Sequence, residues 1–347
     1  MKKLLVVMLA FILCISLAGC GKTVWYEPQD NININYNNCS SKNIYRVWMS
    51  DDTMYYLDTV LFSNRYYALS GKNVKEIPAM HSDSADLIQV YDNVAYLADY
   101  PVGYDHYLHT YDLDAGTDTE LITVTSLDTY FVLGENLYYS SYGSDDQDVS
   151  LSLFSYALAD GTTTEISHSI LSFGVINNEL AYVVQEDNTF SIFTYDSTEK
   201  ESVPIGKFER DATYSESVSD CVNFTSQYVV FVVENYQSGV TKLVVYHLES
   251  GEISEITIED ITYDITAYEE YVFVTTTDYS SDDSNDWESF IYRICLKDGT
   301  KEQIGQLYGG LSIYVASDEC VYVLPDNEDE YVYRYDLDGS RTRVCKW

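Results

Sequence analysis

"EDEYVYRYDLDGSRTRV", residues 328–344, reads as two short strands joined by a tight Asp-Gly turn. Alternating Tyr and Val suit a pleated, half-buried strand, and Gly supplies the positive φ that the turn needs. The same text returns as "FIYRICLKDGTKEQI" (290–304) and "LFSYALADGTTTEI" (153–166). Working outward, the hairpin anchors align at Tyr67, Tyr111, Tyr156, Tyr195, Tyr246, Ile294 and Tyr335, with gaps of 44, 45, 39, 51, 48 and 41 residues. Each Asp-Gly pair is read as structural first, because the carboxylate can accept local amide N–H groups.

Residues 128–166 show the whole unit. "DTYFVLG" is an inner strand, "LYYSSY" (137–142) a second, "LSLFSYAL" (151–158) a third and "TTTEI" (162–166) a fourth. A four-stranded unit repeating every 40–50 residues predicts the blades of a β-propeller, because one small sheet buries its faces only against neighbours in a ring. Helical repeats are excluded by the strand pattern. The expectation is all-β: a seven-bladed propeller of four-stranded antiparallel blades over 43–347. Its blades fall at about 43–80, 85–122, 127–167, 170–206, 220–258, 262–305 and 310–347. The last blade carries its own fourth strand, "RTRVCKW", and "NININY" (31–36) is a candidate additional edge strand, so how the ring closes stays open at this point.

Residues 1–19 carry Lys2 and Lys3, an apolar stretch too short to span a membrane comfortably, and small residues before Cys20. Leu17-Ala18-Gly19-Cys20 resembles the lipobox of bacterial lipoproteins. The resemblance implies cleavage before Cys20, diacylglyceryl transfer to its thiol and a lipid anchor outside the cytoplasm. Residues 20–42, polar and Asn-rich, read as the lipidated Cys followed by a flexible tether.

The repeat region resembles propellers of the low-density-lipoprotein-receptor type and their bacterial relatives. "TMYYLD", "NVAYLADY" and "NLYYSS" are similar to that family's Tyr-Trp-Thr-Asp signature, with Tyr for Trp and an imperfect Asp. The resemblance implies a binding surface and no catalytic residue.

The formal net charge of −37 excludes nucleic acid as a partner, since no basic stripe is available to displace counterions. Signal removal takes away two lysines and no acid. The loops between second and third strands (99–106, 142–148, 185–188, 234–239, 278–288, 325–330) contain no Lys or Arg. The third-to-fourth turns hold Lys72, Lys75, Lys200, Lys297, Lys301, Arg341 and Arg343. In a propeller these two sets lie on opposite faces, so one face is expected to be anionic. It also carries aromatics. The candidate binding residues are Tyr100, Tyr104, Tyr142, Asp145 and Asp146 from the earlier loops, and Tyr236, Tyr279, Asp282, Asp283, Asp286 and Trp287 from the later ones. Aromatics beside carboxylates suit a cationic protein or peptide, or a glycan.

Enzyme motifs are missing: there is no Gly-x-Ser-x-Gly elbow, no His-Glu-x-x-His and no phosphate loop. The closely spaced oxygens at 112–120 and 282–286 do not follow the calcium-loop pattern. His81, His106, His109, His168 and His247 are scattered, and the five cysteines after Cys20 form no disulfide framework or zinc spacing, with Cys39 and Cys345, near the two chain ends, the one conceivable pair. The reading carries no catalytic residue, metal or cofactor. Its function is a lipid-anchored binding or scaffold module, with a carbohydrate-binding or carbohydrate-active propeller as the rival.

Overall fold

The computed structural model describes residues 47–50, 53–60, 63–70, 73–77, 87–99, 105–143, 150–210, 216–235, 237–238, 240–258, 262–278, 287–308, 311–316, 320–325 and 331–346. Leu17, Ala18, Gly19, Cys20 and the tether lie outside them. Strands and turns dominate, with no helix among the described residues.

Each repeat folds as an antiparallel meander. The first comprises β1 (Val47–Ser50), β2 (Thr53–Val60), β3 (Ser63–Ser70) and β4 (Asn73–Glu76). The second comprises β5 (Leu87–Tyr91), β6 (Val94–Asp99), β7 (Asp105–Asp112) and β8 (Thr117–Thr125). Then follow β9 (Leu127–Leu133), β10 (Asn136–Tyr142), β11 (Leu151–Ala157), β12 (Thr163–Ile176), β13 (Glu179–Glu186), β14 (Thr189–Asp196) and β15 (Glu201–Glu209). The next meander is β16 (Glu216–Phe224), β17 (Tyr228–Asn235), β18 (Val240–His247) and β19 (Ile253–Ile258). The last two are β20 (Thr262–Tyr268), β21 (Tyr271–Asp278), β22 (Glu288–Cys295) and β23 (Lys301–Tyr308), then β24 (Leu311–Ala316), β25 (Cys320–Pro325), β26 (Tyr331–Asp336) and β27 (Arg341–Lys346).

Five of these meanders are separate four-stranded sheets, and β9–β15 form one seven-stranded sheet. The break expected between 167 and 170 is therefore not a break. β12 begins as the outer strand of one meander and ends as the inner strand of the next. No Pro or Gly interrupts 163–173, and the change of role is absorbed by irregular pairing between Leu151 and Leu153 and by Ser169 at φ 57°.

First strands stand side by side around a circle: β1 against β5, β5 against β9, β12 against β16, β16 against β20, β20 against β24, and β24 against β1. The first and last sheets are each built from consecutive strands of their own chain end, as expected for the last.

Middle strands show why sheets of this kind need neighbours. In β17, Val229, Phe231 and Val233 pack with Phe190, Phe208 and Ile176 of the preceding sheet. Val230 and Val232 pack with Ile265, Val272 and Val274 of the following one. Both faces are buried, so the strand is apolar throughout rather than alternating.

Side chains stitch the seams. Gln89 Nε2 donates to the Val132 carbonyl at 3.0 Å, and the Val132 N–H donates to Gln89 Oε1 at 2.6 Å, standing in for a missing strand pairing. Asn223 Oδ1 accepts the Ala267 N–H at 3.0 Å, and Asp264 Oδ2 accepts that of Ile313 at 2.9 Å. Further out, Tyr156 Oη donates to the Leu121 carbonyl at 3.1 Å and Tyr335 Oη to that of Gln306 at 3.0 Å. Both acceptors sit in the fourth strand of the preceding meander, at or close to a bulge. Tyr246 and Tyr335 lie flat over Gly206 and Gly305, where an added Cβ would stand 2.7 Å from each ring.

The Asp-Gly turns are structural, as read. Asp160, Asp298 and Asp338 each accept the N–H two residues on, at 2.9–3.0 Å. Backbone and side-chain hydrogen bonds from Thr162 and Thr300, and first the hydroxyl and then the N–H of Ser340, hold all three carboxyls below the ordinary aspartate value.

Two outcomes follow from this packing. Gly206→Ala and Gly305→Ala each lose about 1–3 kcal/mol by overpacking, while Tyr335→Phe keeps the ring and loses only about 1 kcal/mol. Thermal unfolding of the three variants checks the order; unchanged stability in both alanine variants would contradict the seam contacts. The second outcome concerns pH. A depressed carboxyl stabilises the fold above its unfolded pKa, and that contribution is lost as pH falls through the folded pKa. The triple variant Asp160→Asn, Asp298→Asn, Asp338→Asn keeps the acceptor oxygens without the charge. Its stability deficit in urea titrations therefore shrinks as pH drops below the ordinary aspartate range, and a deficit constant with pH would show that the charges contribute nothing.

Candidate functional site

The end of the ring that carries the second-to-third loops holds Tyr142 and Trp287. Tyr142 closes β10 and is 43% exposed. Its backbone N–H donates to the Ser126 carbonyl at 3.1 Å, and its hydroxyl lies 3.5 Å from Asp128 Oδ1. Asp128 also accepts from Ser140 Oγ at 3.0 Å, so the carboxylate ties the tip of β10 to β9. Trp287 immediately precedes β22 and is half-buried. The two aromatics belong to different sheets with β16–β19 between them, so the ring places them in separate sectors. Tyr100, Tyr104, Asp145, Asp146, Tyr236, Tyr279, Asp282, Asp283 and Asp286 lie outside the described residues.

Beside Tyr142 is a cleft of about 420 Å³ between the two halves of the seven-stranded sheet. Leu151, Ile170 and Leu171 make its apolar floor, and Tyr142, Ser150, Ser169, Gln185 and Asp187 its polar wall. Its geometry comes from β12. Ser150 and Ser152 are two residues apart on the β11 side, so they point to one face. Opposite them, the irregularity in β12 turns His168 toward both hydroxyls: Nε2 lies 3.0 Å from Ser150 Oγ and Nδ1 2.8 Å from Ser152 Oγ. Glu165 Oε1 stands 3.9 Å from Nδ1. Nothing in the sequence spacing joins these residues, because the contact depends on a bulge. A reader could have found only the i, i+2 serines and one facing His.

Among the described residues, His106, His109 and His247 do not converge with it. His109 Nδ1 pairs with Asp118 Oδ1 at 2.9 Å, and His106 is buried in β7, where desolvation lowers its pKa. In the 112–120 stretch, Asp112 Oδ1 accepts the N–H groups of Asp114 and Ala115 at 2.9 and 2.7 Å, which turns that carboxylate into the turn rather than toward Asp118.

A larger cleft, of about 500 Å³, opens at the opposite end of the same two meanders. Its rim is made of turns: Gly134 and Asn178 hold positive φ, and Asp196 Oδ1 accepts from Thr198 and Glu199. Its tyrosines, Tyr138 and Tyr195, are buried, and burial pushes both hydroxyls up in pKa. Groups so committed to the fold leave less for a ligand, and the smaller cleft is the better candidate.

No family model matches the chain, and no curated protein sequence matches it. Solved structures do. The β-propeller domain of the Trilobed protease from Pyrococcus furiosus, described as having an open velcro topology, superposes with a TM-score of 0.60 at 11% identity, over 87% of this chain and 97% of that one. Oligogalacturonate lyase from Vibrio parahaemolyticus gives 0.58 at 10% identity, over 88% and 91%. The acylaminoacyl peptidase of Pyrococcus horikoshii gives 0.57 at 10% identity over 87% of this chain, which spans only 52% of that one. At such identities the likeness concerns architecture, and the architecture is a β-propeller.

Proposed function

We propose that the chain is an exported, lipid-anchored, seven-bladed propeller that binds a cationic protein or peptide through its loop face. The observation that carries this reading is the distribution of charge. No Lys or Arg occurs between Lys75 and Lys200, a stretch that folds as β5 to β14 and occupies one continuous sector of the ring. On the loop end of that sector stand Asp99, Asp105, Asp128, Glu186 and Asp187, with Tyr142 exposed among them. Carboxylates with no basic side chain in their own sector leave an unbalanced field, which steers and holds cations. The resemblance of 17–20 to a lipobox supports an anchor at Cys20, and the resemblance to low-density-lipoprotein-receptor-type propellers supports a recognition role. A second reading, glycan binding, is favoured by the cleft itself, where Tyr142 offers an aromatic surface beside the hydrogen-bonding groups of Gln185 and Asp187.

Crosslinking on intact cells, followed by identification of the captured species, tests the partner class. Basic proteins or peptides are expected, with capture falling as salt is raised from about 0.05 to about 0.5 M. Charge reversal at Asp187, or at Asp282, Asp283 and Asp286, weakens that capture; indifference to both sets would refute the cationic partner, and retention of glycans alone would favour the second reading. Cys20→Ser moves the protein from the membrane to the aqueous fraction, and an unchanged membrane fraction would remove the anchor.

A further inference from the structure

The clasp of His168 between Ser150 and Ser152 has the geometry of an activated serine. The geometry points to a serine acyl-transfer site at the edge of this cleft, with Ser150, which lines it, as nucleophile, His168, 54% exposed beside it, as general base and short-chain carboxylic esters as substrates. It is independent of whether the loop face binds a cationic partner.

Three features support it. Ser150 Oγ is 3.0 Å from His168 Nε2, within the reach a base needs to take a hydroxyl proton. The other ring nitrogen is held at 2.8 Å by Ser152 Oγ. In the tautomer that carries its proton on Nδ1, that N–H donates to Ser152 Oγ and Nε2 accepts from Ser150 Oγ. Ser152 is thus a positioning residue, in the place a carboxylate takes in other triads. Finally, Ser150 lines the cleft, whose floor of Leu151, Ile170 and Leu171 suits a short acyl chain and whose Gln185 and Asp187 suit a hydroxylated alcohol. The irregular stretch that aims His168 includes Ser169 in the left-handed region, a conformation that a non-glycine residue adopts at some cost.

The chemistry closes without another reactant except water. Ser150 Oγ attacks the ester carbonyl carbon, and its proton passes to His168 Nε2. The tetrahedral adduct collapses, the carbon–oxygen bond to the alcohol breaks, and the leaving oxygen takes the proton from Nε2. Water then attacks the acyl-serine, giving a proton to Nε2, which returns it to Ser150 Oγ as the carboxylic acid departs.

The test uses the full chain, an alkyl fluorophosphonate as probe and p-nitrophenyl butyrate as substrate. One phosphonyl group is expected on Ser150 by peptide mapping, together with butyrate ester hydrolysis that the adduct abolishes. Ser150→Ala removes both. His168→Gln slows labelling about a hundredfold or more. Ser152→Ala slows it less, and Ser152→Thr, which keeps the hydroxyl, restores it. Thermal melts of each variant separate loss of chemistry from loss of fold. If the three residues only fasten β11 to β12, the variants lower the melting temperature, and the wild-type protein is not labelled. Absence of an adduct at Ser150, or a labelling rate indifferent to His168→Gln, overturns the proposal.

Discussion

One contact recurs around the ring, at Tyr156, Tyr246 and Tyr335: a tyrosine on the third strand of one meander laid against the fourth strand of the meander before it. Tyr156 and Tyr335 make it with a hydroxyl to a backbone carbonyl, and Tyr246 and Tyr335 with a ring over glycine. The same tyrosines explain the spacing of the motif. In the Tyr111–Gly116 and Tyr156–Gly161 hairpins the tyrosine Oη reaches back over its own turn, and a Cβ on either glycine would stand 3.2 Å from it. The glycine is therefore needed twice, for its positive φ and for the space under the hydroxyl. Turn, strand and seam are specified by one residue pair, and that is why the hairpin is rewritten so faithfully along the chain.

Where the motif lapses, the structure shows the cost or the substitute. Lys200 replaces the turn glycine and sits at φ 56°, a conformation that costs a side-chain-bearing residue roughly 1–2 kcal/mol. Ile294 replaces the anchor tyrosine, and at that position an apolar side chain packs within the cluster that holds Val272 and Val274. These departures were visible in the alignment of anchors. So were the turns and most of the strands, because period-2 patterns and Asp-Gly signals are local. The seam stitches were not. Gln89, Asn223 and Asp264 read as ordinary strand polars, and their partners lie 43, 44 and 49 residues away. The continuity of β12 was missed for a related reason: the sequence contains no turn residue between its two roles, yet the periodic frame demanded a boundary there.

Of the candidate site, its anionic character was legible and its geometry was not. Net charge by loop class can be counted from a sequence, whereas the approach of His168 to two serines depends on a bulge. The basic residues sharpen the contrast around the ring. Arg293 pairs with Glu302 at 2.6 Å, Arg334 pairs with Asp336 at 2.6 Å, and Lys301 sits 3.7 Å above the Tyr292 ring. These cations are absorbed into the strands of the last two sheets. They hold neighbouring side chains in place and do little to neutralise the opposite sector, so the two halves of the circle differ in field as well as in sequence.

The junctions of the ring are not equivalent. Most are crossed once by the chain, through a connection from an outer strand to the next inner strand. Among the described residues no connection crosses the junction between the first and last sheets, where β24 stands against β1. At the other extreme, the junction inside the seven-stranded sheet is crossed by β12 itself, with no loop to bend. An opening of the circle therefore has its lowest cost at the first junction and its highest at the second. The cleft lined by Ser150 and Tyr142, with His168 bonded to Ser150 beside it, lies at the second. His168 and Ser152 lie within β12 and β11 and Ser150 just before β11, so their contacts are set by the strands where the ring has the least freedom to move.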